Sequence, residues 1–280
     1  MLSRYLIAPL IFVALIFLYL AWEDDSSWSY YLIPCILGAA VIYVFSPQID
    51  WWWYQHRPPD LPPGLRKMLE AKLPYYRRLP EPLQQRFRQR MAMYMHAHEF
   101  KAQGMESMPI DLQAIIAATA VQVSFGQEDF LMEPYEHIIV YPHPFPSPQF
   151  PEKWHTCEIY DEDGVILFSA EQLMISFMDP QKHFHIGLYE YARVFRRCHS
   201  EMSWPAWAEE DWPKLEQVSG MKLSYLRKWI GLPDLDIGAV AVAHFFVFPE
   251  RFKAAFPERY EMFIRNFYRK TPAAAEASVQ

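Results

Sequence analysis

The chain has 280 residues and a formal net charge of −7 at pH 7, so it lacks the basic balance typical of nucleic-acid binding. Hydrophobic residues make up 52% of the sequence, which is high for a soluble protein. Much of the excess lies before residue 54. Its three cysteines are widely spaced and form neither a CxxC pair nor a disulfide framework, which favours a reduced, intracellular compartment.

Two uncharged apolar runs, 5–22 and 28–45, open the chain, and a short acidic turn, Glu23–Ser27, joins them. Each run is long enough to cross a bilayer as a helix, so the pattern predicts a transmembrane helical hairpin that contacts membrane lipid. A secretory signal peptide is the competing interpretation of the first run, but no small-residue cleavage site follows it. A hairpin buried within a globular core is the other alternative.

Basic residues flank the two runs on one side only. Arg4 precedes the first run, and Arg57, Arg66 and Lys67 follow the second, whereas the turn between them carries only acids. The positive-inside rule therefore places both termini in the cytoplasm.

The chain is expected to divide into four segments. Residues 1–54 form the hairpin, and the Pro-rich residues 55–64 form a semi-rigid linker. Residues 65–272 form a globular domain, and residues 273–280 form a disordered tail.

Periodicity predicts a mixture of helices and strands in the globular domain. The first part, Leu65–Lys101, is expected to be mostly helical, with a break at Pro80 and Pro82. Three strands are predicted, and an Asp-Gly turn at Gly164 indicates a hairpin between the last two. The other predicted elements, in chain order, are a central helix 111–125, strands 137–141, 156–160 and 165–169, and helices 182–199, 236–248 and 256–269.

Several short blocks appear in an order and spacing that together are fairly specific. They are LPYYRRLP at 73–80, IIVYP at 138–142, GVILFS at 164–169 and FYR at 267–269. In these blocks the chain resembles the Mlc titration factor A family of bacterial zinc peptidases, over roughly residues 65–272. The resemblance implies an α+β, zincin-like metallopeptidase domain, here preceded by two transmembrane helices in the inner (cytoplasmic) membrane of a bacterium.

The family's active-site helix carries HExxH, in which two histidines four residues apart bind zinc and the glutamate acts as general base. By position, this frame falls on Tyr189 to Arg193. Glu190 matches the general base, while Tyr189 and Arg193 replace the two histidine ligands. The resemblance further places Arg196 where the family has an acid and Asp236 where it has its third ligand, a glutamate.

These replacements argue against a zinc site. A guanidinium has no acceptor and does not lose its proton, so Arg193 cannot bind a cation. The phenol of Tyr189 has an unperturbed pKa of about 10. We therefore expect no cofactor and no catalysis. If the family chemistry were retained, the chain would be a zinc-dependent metallopeptidase, with ligands drawn from His183, His185 or Asp236 in a rearranged site.

Arg193 lies three residues after Glu190, which makes the two side chains neighbours on a helix. We hypothesise that its guanidinium takes the metal's place and ties Glu190 to Asp236. The alternative is that Arg193 points to solvent. No other histidine pattern predicts a site: His244 is expected to be a satisfied core residue.

The leading functional prediction is a catalytically inactive, peptidase-like module that is anchored in the membrane and binds a protein or peptide partner in the cytoplasm. The resembled family includes a factor that binds a transcriptional repressor of sugar uptake, which weakly favours a protein partner. Two alternatives remain, an active metallopeptidase with a non-standard site and a structural subunit of a membrane complex.

Overall fold

The computed structural model describes residues 2–268 and divides the chain into two compact units, Met1–Pro59 and Asp60–Gln280. The predicted tail, 273–280, lies outside the described residues. The first unit contains helices α1 (Leu2–Glu23), α2 (Leu32–Val44) and α3 (Ser46–His56), with a 3-10 turn at Ser26–Tyr31 before α2.

Two helical stretches of the first unit, Leu2–Glu23 and Ser26–Val44, are long and apolar enough to cross a membrane. The second differs from the expected single α-helix because it begins as a 3-10 turn. Helix α3 was not expected, since the sequence predicts only two apolar helices followed by a linker. Pro47 permits it because a proline in the first helical turn removes no intrahelical hydrogen bond.

Asp50 links α3 to the start of α1 within the first unit. The backbone N–H of Ser3 donates to its Oδ1 at 2.9 Å, and the Ser3 hydroxyl donates to its Oδ2 at 2.8 Å. Both side chains are buried. A carboxylate at this position satisfies an N–H group that the first helical turn leaves unpaired, so the unit is a three-helix arrangement rather than a hairpin alone.

A four-stranded sheet lies in the second unit. Its strands are β1 (Glu99–Ala102), β2 (His137–Tyr141), β3 (Cys157–Tyr160) and β4 (Val165–Ser169). Their order is β1-β2-β4-β3, with β2 parallel to both β1 and β4, and β3 antiparallel to β4. The predicted hairpin is confirmed at Gly164, where φ is +59° and a Cβ would lie 2.2 Å from the Pro134 carbonyl oxygen, so only glycine fits.

Helices surround this sheet, giving an α+β fold as predicted. They are α4 (Pro63–Lys72), α5 (Pro74–Arg78), α6 (Glu81–Ala97), α7 (Ile110–Ser124), α8 (Ala170–Met178), α9 (Ile186–Cys198), α10 (Trp212–Ser219), α11 (Leu223–Ile230), α12 (Ile237–Val247), α13 (Pro249–Ala255) and α14 (Pro257–Tyr268). The prediction that α7 is the central helix is confirmed, because every residue from Ala114 to Ser124 is buried.

Several predicted bounds were wrong. The stretch interpreted as helix up to Lys101 ends in β1, a four-residue strand held by its pairing with β2. Within residues 55–64, expected to form a linker, α3 runs to His56 and α4 begins at Pro63. Helix α9 begins at Ile186 rather than Lys182, and α8, α10, α11 and α13 were not predicted.

Candidate functional site

Helix α9 carries the frame that the sequence singled out, and a histidine fixes where it begins. The Nδ1 atom of His185 accepts the backbone N–H of Leu188 at 3.2 Å, so His185 is the N-cap of α9. Burial lowers the pKa of His185 to about 3, which keeps the imidazole neutral and its Nδ1 available as the acceptor. Four elements pack against this helix, namely α7, α8, α12 and β3.

Glu190 and Arg193 form a buried ion pair on α9. Nη1 of Arg193 lies 2.9 Å from Oε1 and 2.8 Å from Oε2 of Glu190. The Glu190 side chain is fully buried, while that of Arg193 is 20% exposed. Burial alone would lower the pKa of Arg193, but Glu190 together with the other acidic groups nearby, Asp236 among them, outweighs burial and raises that pKa, so the guanidinium stays charged. The residue at the general-base position is therefore bound to a permanent cation.

A thiol borders the same pair. Cys157 of β3 is fully buried, and burial, followed by the nearby Glu190 carboxylate, raises the pKa of its thiol. The thiol therefore remains protonated and neutral. The sequence pattern predicted no partner for Cys157. The available signal was its position in a predicted strand that precedes α9 in the chain.

Asp236 is held by a second arginine. Nη1 of Arg196 lies 2.8 Å from Oδ1 and 2.9 Å from Oδ2 of Asp236. Asp236 is also the N-cap of α12, because its Oδ1 accepts the backbone N–H of Ala239 at 3.0 Å. The close approach of Arg196 requires Gly238, where a Cβ would lie 2.7 Å from the Arg196 Nη1 atom.

The hypothesis about Arg193 is thus confirmed in one half and wrong in the other. Arg193 does pair with Glu190, so it does not simply point to solvent. The ion-pair partner of Asp236, however, is Arg196. The misassignment arose because Glu190 and Arg193 are neighbours by helical spacing, whereas the contact between Arg196 and Asp236 depends on how α9 packs against α12.

Tyr189 joins the two pairs. Its side chain is buried, and its hydroxyl oxygen accepts the backbone N–H of Asp236 at 3.2 Å. Burial raises the pKa of the Tyr189 phenol, so a phenolate ligand does not form at neutral pH. The contact places the start of α12 beside Tyr189 of α9.

The residues present do not fit a zinc ion. Arg193 offers no lone pair, and the carboxylate oxygens of Glu190 and Asp236 are each occupied by a guanidinium. Among residues 2–268, no group of three His, Cys, Asp or Glu side chains is placed to hold a metal ion. His183 instead stacks on Trp229, with ring centroids 5.2 Å apart.

His244 on α12 differs from the satisfied core histidine that was expected. It is 1% exposed, and neither of its ring nitrogens has a hydrogen-bond partner within the described part of the chain. The rings of Phe184 and Phe248 contact it in T-shaped arrangements. Burial lowers the pKa of His244 to about 3.

Comparison with known proteins identifies the domain. No curated protein matches the chain. Residues 50–195 match the family model described as glucose-regulated metallo-peptidase M90, the group to which Mlc titration factor A-like proteins belong. This match spans more than half of the chain, includes α9 up to Phe195, and stops before Asp236. It confirms the resemblance drawn from the sequence blocks, and the chain is a member of the glucose-regulated metallo-peptidase M90 family.

Proposed function

We propose that this protein is a catalytically inactive member of its peptidase family that acts as a membrane-anchored binding or regulatory module. The observation that carries the proposal is the ion pair between Arg193 and Glu190, because it occupies the general-base position with a cation. A general base must be free to accept a proton from the attacking water. Both carboxylate oxygens of Glu190 instead accept hydrogen bonds from one guanidinium.

The second support is the state of the other ligand positions. Tyr189 and Asp236 are joined by a hydrogen bond, and Asp236 is engaged by Arg196 and by the start of α12. Each group that would have to turn towards a metal already stabilises the fold. Tyr189, Arg196 and Asp236 therefore serve as structural links between α9 and α12.

The proposed partner is an extended protein or peptide segment. Strand β3 lies at one edge of the sheet, next to the blocked site through Cys157. Edge strands commonly bind extended segments by main-chain hydrogen bonds. Binding of this kind needs neither a metal nor a general base.

The proposed location is the inner (cytoplasmic) membrane of a bacterium. The two apolar helical stretches of the first unit would cross it, with both termini and the second unit in the cytoplasm. The charge bias supports this orientation, since Arg4 and Arg57 flank the spans and Asp24 and Asp25 lie between them. Reporter fusions at residue 25 and after residue 60 test it: a cytoplasmic signal at residue 25 would contradict the topology.

Peptide hydrolysis tests the proposed inactivity. The full chain in lipid nanodiscs, with zinc added, is assayed on an unstructured peptide library beside the Glu190→Gln variant. The proposal predicts equal background rates, because Glu190 has no catalytic role to lose. A wild-type rate ten-fold or more above that of Glu190→Gln would overturn the proposal and favour the active-peptidase alternative.

A gain-of-site variant sharpens the same test. Tyr189→His with Arg193→His restores the two histidines of the family frame on α9. We expect this double variant to bind more zinc than the wild type does. Arg197→His is the matched control, since it places a histidine on the same helix outside the frame.

A further inference from the structure

A cavity of about 310 Å³ borders α9 on a face other than the one that carries the Glu190–Arg193 pair. Its volume falls in the range of small-molecule sites. Most of the wall side chains are apolar, and they come from α4, α5, α7, α8, α9, α12 and the segments that connect them. They include Leu73, Phe177, Leu188 and Phe246.

Two polar side chains that are more than nine-tenths buried border the cavity. Gln122 of α7 is 4% exposed, and its side-chain amide makes no hydrogen bond to the residues that the structure describes. His185 is 5% exposed. Because its Nδ1 accepts the Leu188 N–H, the neutral ring carries its proton on Nε2.

The mouth of the cavity is positively charged. Arg78 and Lys72 both border it, and the buried Nε atom of Arg78 has no hydrogen-bond partner among the described residues. The bordering acid, Asp179, is already paired with Lys182 at 2.8 Å. The charged side chains here that lack an ion pair within the described residues are therefore cations, whereas most of the other wall side chains are apolar.

We propose that the cavity binds a small organic acid, whose carboxylate is recognised by Arg78, Gln122 and the Nε2–H of His185. A guanidinium and an amide donor suit a carboxylate because they offer several hydrogen bonds to its two oxygens. The apolar body of the ligand packs against Phe177, Leu188 and their neighbours. Because His185 caps α9 with its other nitrogen, the ligand also steadies the start of the helix that carries Glu190.

Binding of 3-phenylpropionate tests this inference. Isothermal titration of the full chain in lipid nanodiscs, with empty nanodiscs subtracted, is compared for this acid, for 3-phenylpropan-1-ol and for acetate. We expect saturable binding of the acid alone, since the alcohol lacks the charge and acetate lacks the apolar body. No binding of the acid, or equal binding of the alcohol or of acetate, would overturn the inference.

Three variants locate the site. Gln122→Met and Arg78→Met each remove one recognition group and should weaken binding of the acid by about ten-fold or more, in line with the loss of a hydrogen bond to a charged group. Gln113→Met makes the same change earlier on α7, at a residue that does not border the cavity, and should leave the affinity unchanged. If Gln122→Met and Arg78→Met both bind the acid as tightly as Gln113→Met does, the ligand lies elsewhere and the inference fails.

Discussion

Arg196, three residues beyond Arg193 on the same helix, holds Asp236 with one nitrogen placed 2.8 and 2.9 Å from its two carboxylate oxygens. Two neighbouring arginines of α9 thus each neutralise one carboxylate. Arg193 pairs within its own helix, and Arg196 pairs across to α12. Where the family mechanism would gather ligands around a metal, this chain has two separate ion pairs.

The two pairs differ in burial, and their removal should differ accordingly. Arg193→Met keeps the side-chain volume but leaves the buried Glu190 without its cation. We expect this change to lower the free energy of unfolding by about 3–5 kcal/mol, because an uncompensated buried charge is costly. Thermal and denaturant unfolding of the full chain measure the loss.

Two further variants serve as controls for that prediction. Arg197→Met breaks a more exposed ion pair with Asp161, so it should cost less than about 1 kcal/mol. Glu190→Gln combined with Arg193→Met removes the stranded charge and should recover part of the loss. A loss for Arg193→Met no larger than that for Arg197→Met would show that the Glu190 pair does not stabilise the fold.

Asp236 has two roles that conservative changes can separate. Asp236→Asn keeps an oxygen for the Ala239 N–H but loses the charge that Arg196 neutralises, and about a third of each side chain is exposed. We expect a cost of about 0.5–1 kcal/mol from the exposed pair. Asp236→Ala also removes the N-cap, which adds about 1 kcal/mol. Equal unfolding free energies for the two variants would contradict the capping role.

Gly238 and Arg196 should behave as one unit. A Cβ at residue 238 would lie 2.7 Å from the Arg196 Nη1 atom, so Gly238→Ala must displace the guanidinium. Once Arg196 is replaced by alanine, the same change should cost less. A double-mutant cycle measures the coupling, which we expect to be about 0.5–1 kcal/mol or more, whereas strict additivity would place Arg196 away from Gly238.

Much of this arrangement could be read from the sequence, and the rest could not for physical reasons. The central helix α7 and strands β2 and β4 follow from strong apolar patterns, and the pairing of Arg193 with Glu190 follows from helical spacing. Strand β1 was not predicted, because its four residues are held by pairing with β2 rather than by their own strand propensity. The contact between Arg196 and Asp236 spans 40 residues and depends on how two helices pack.

Two buried histidines should make the protein sensitive to acid. Burial lowers the pKa values of His185 and His244 to about 3, against about 6.5 in an unfolded chain. Between these values the unfolded state binds more protons, so the free energy of unfolding falls as the pH falls. At pH 5 each histidine should have cost about 2 kcal/mol relative to neutral pH.

Replacing His244 isolates its share of this loss. His244→Phe removes a buried ring whose nitrogens are unpaired in the described structure, so it should stabilise the protein by about 1 kcal/mol at pH 7.5 and by more at pH 5. His143→Phe is the control, because His143 is exposed. Unfolding curves at the two pH values decide the matter, and an unchanged pH dependence in His244→Phe would refute the assignment.

Zinc content tests the central claim most directly. The full chain in nanodiscs is incubated with excess zinc, freed of loosely bound metal on a chelating column, and analysed for zinc and sulfur by mass spectrometry. Because Arg193 and Arg196 neutralise Glu190 and Asp236, we predict far less than one zinc per chain, and more in the Tyr189→His, Arg193→His double variant. Near one zinc per wild-type chain, lost on Glu190→Gln or Asp236→Ala substitution, would contradict the account.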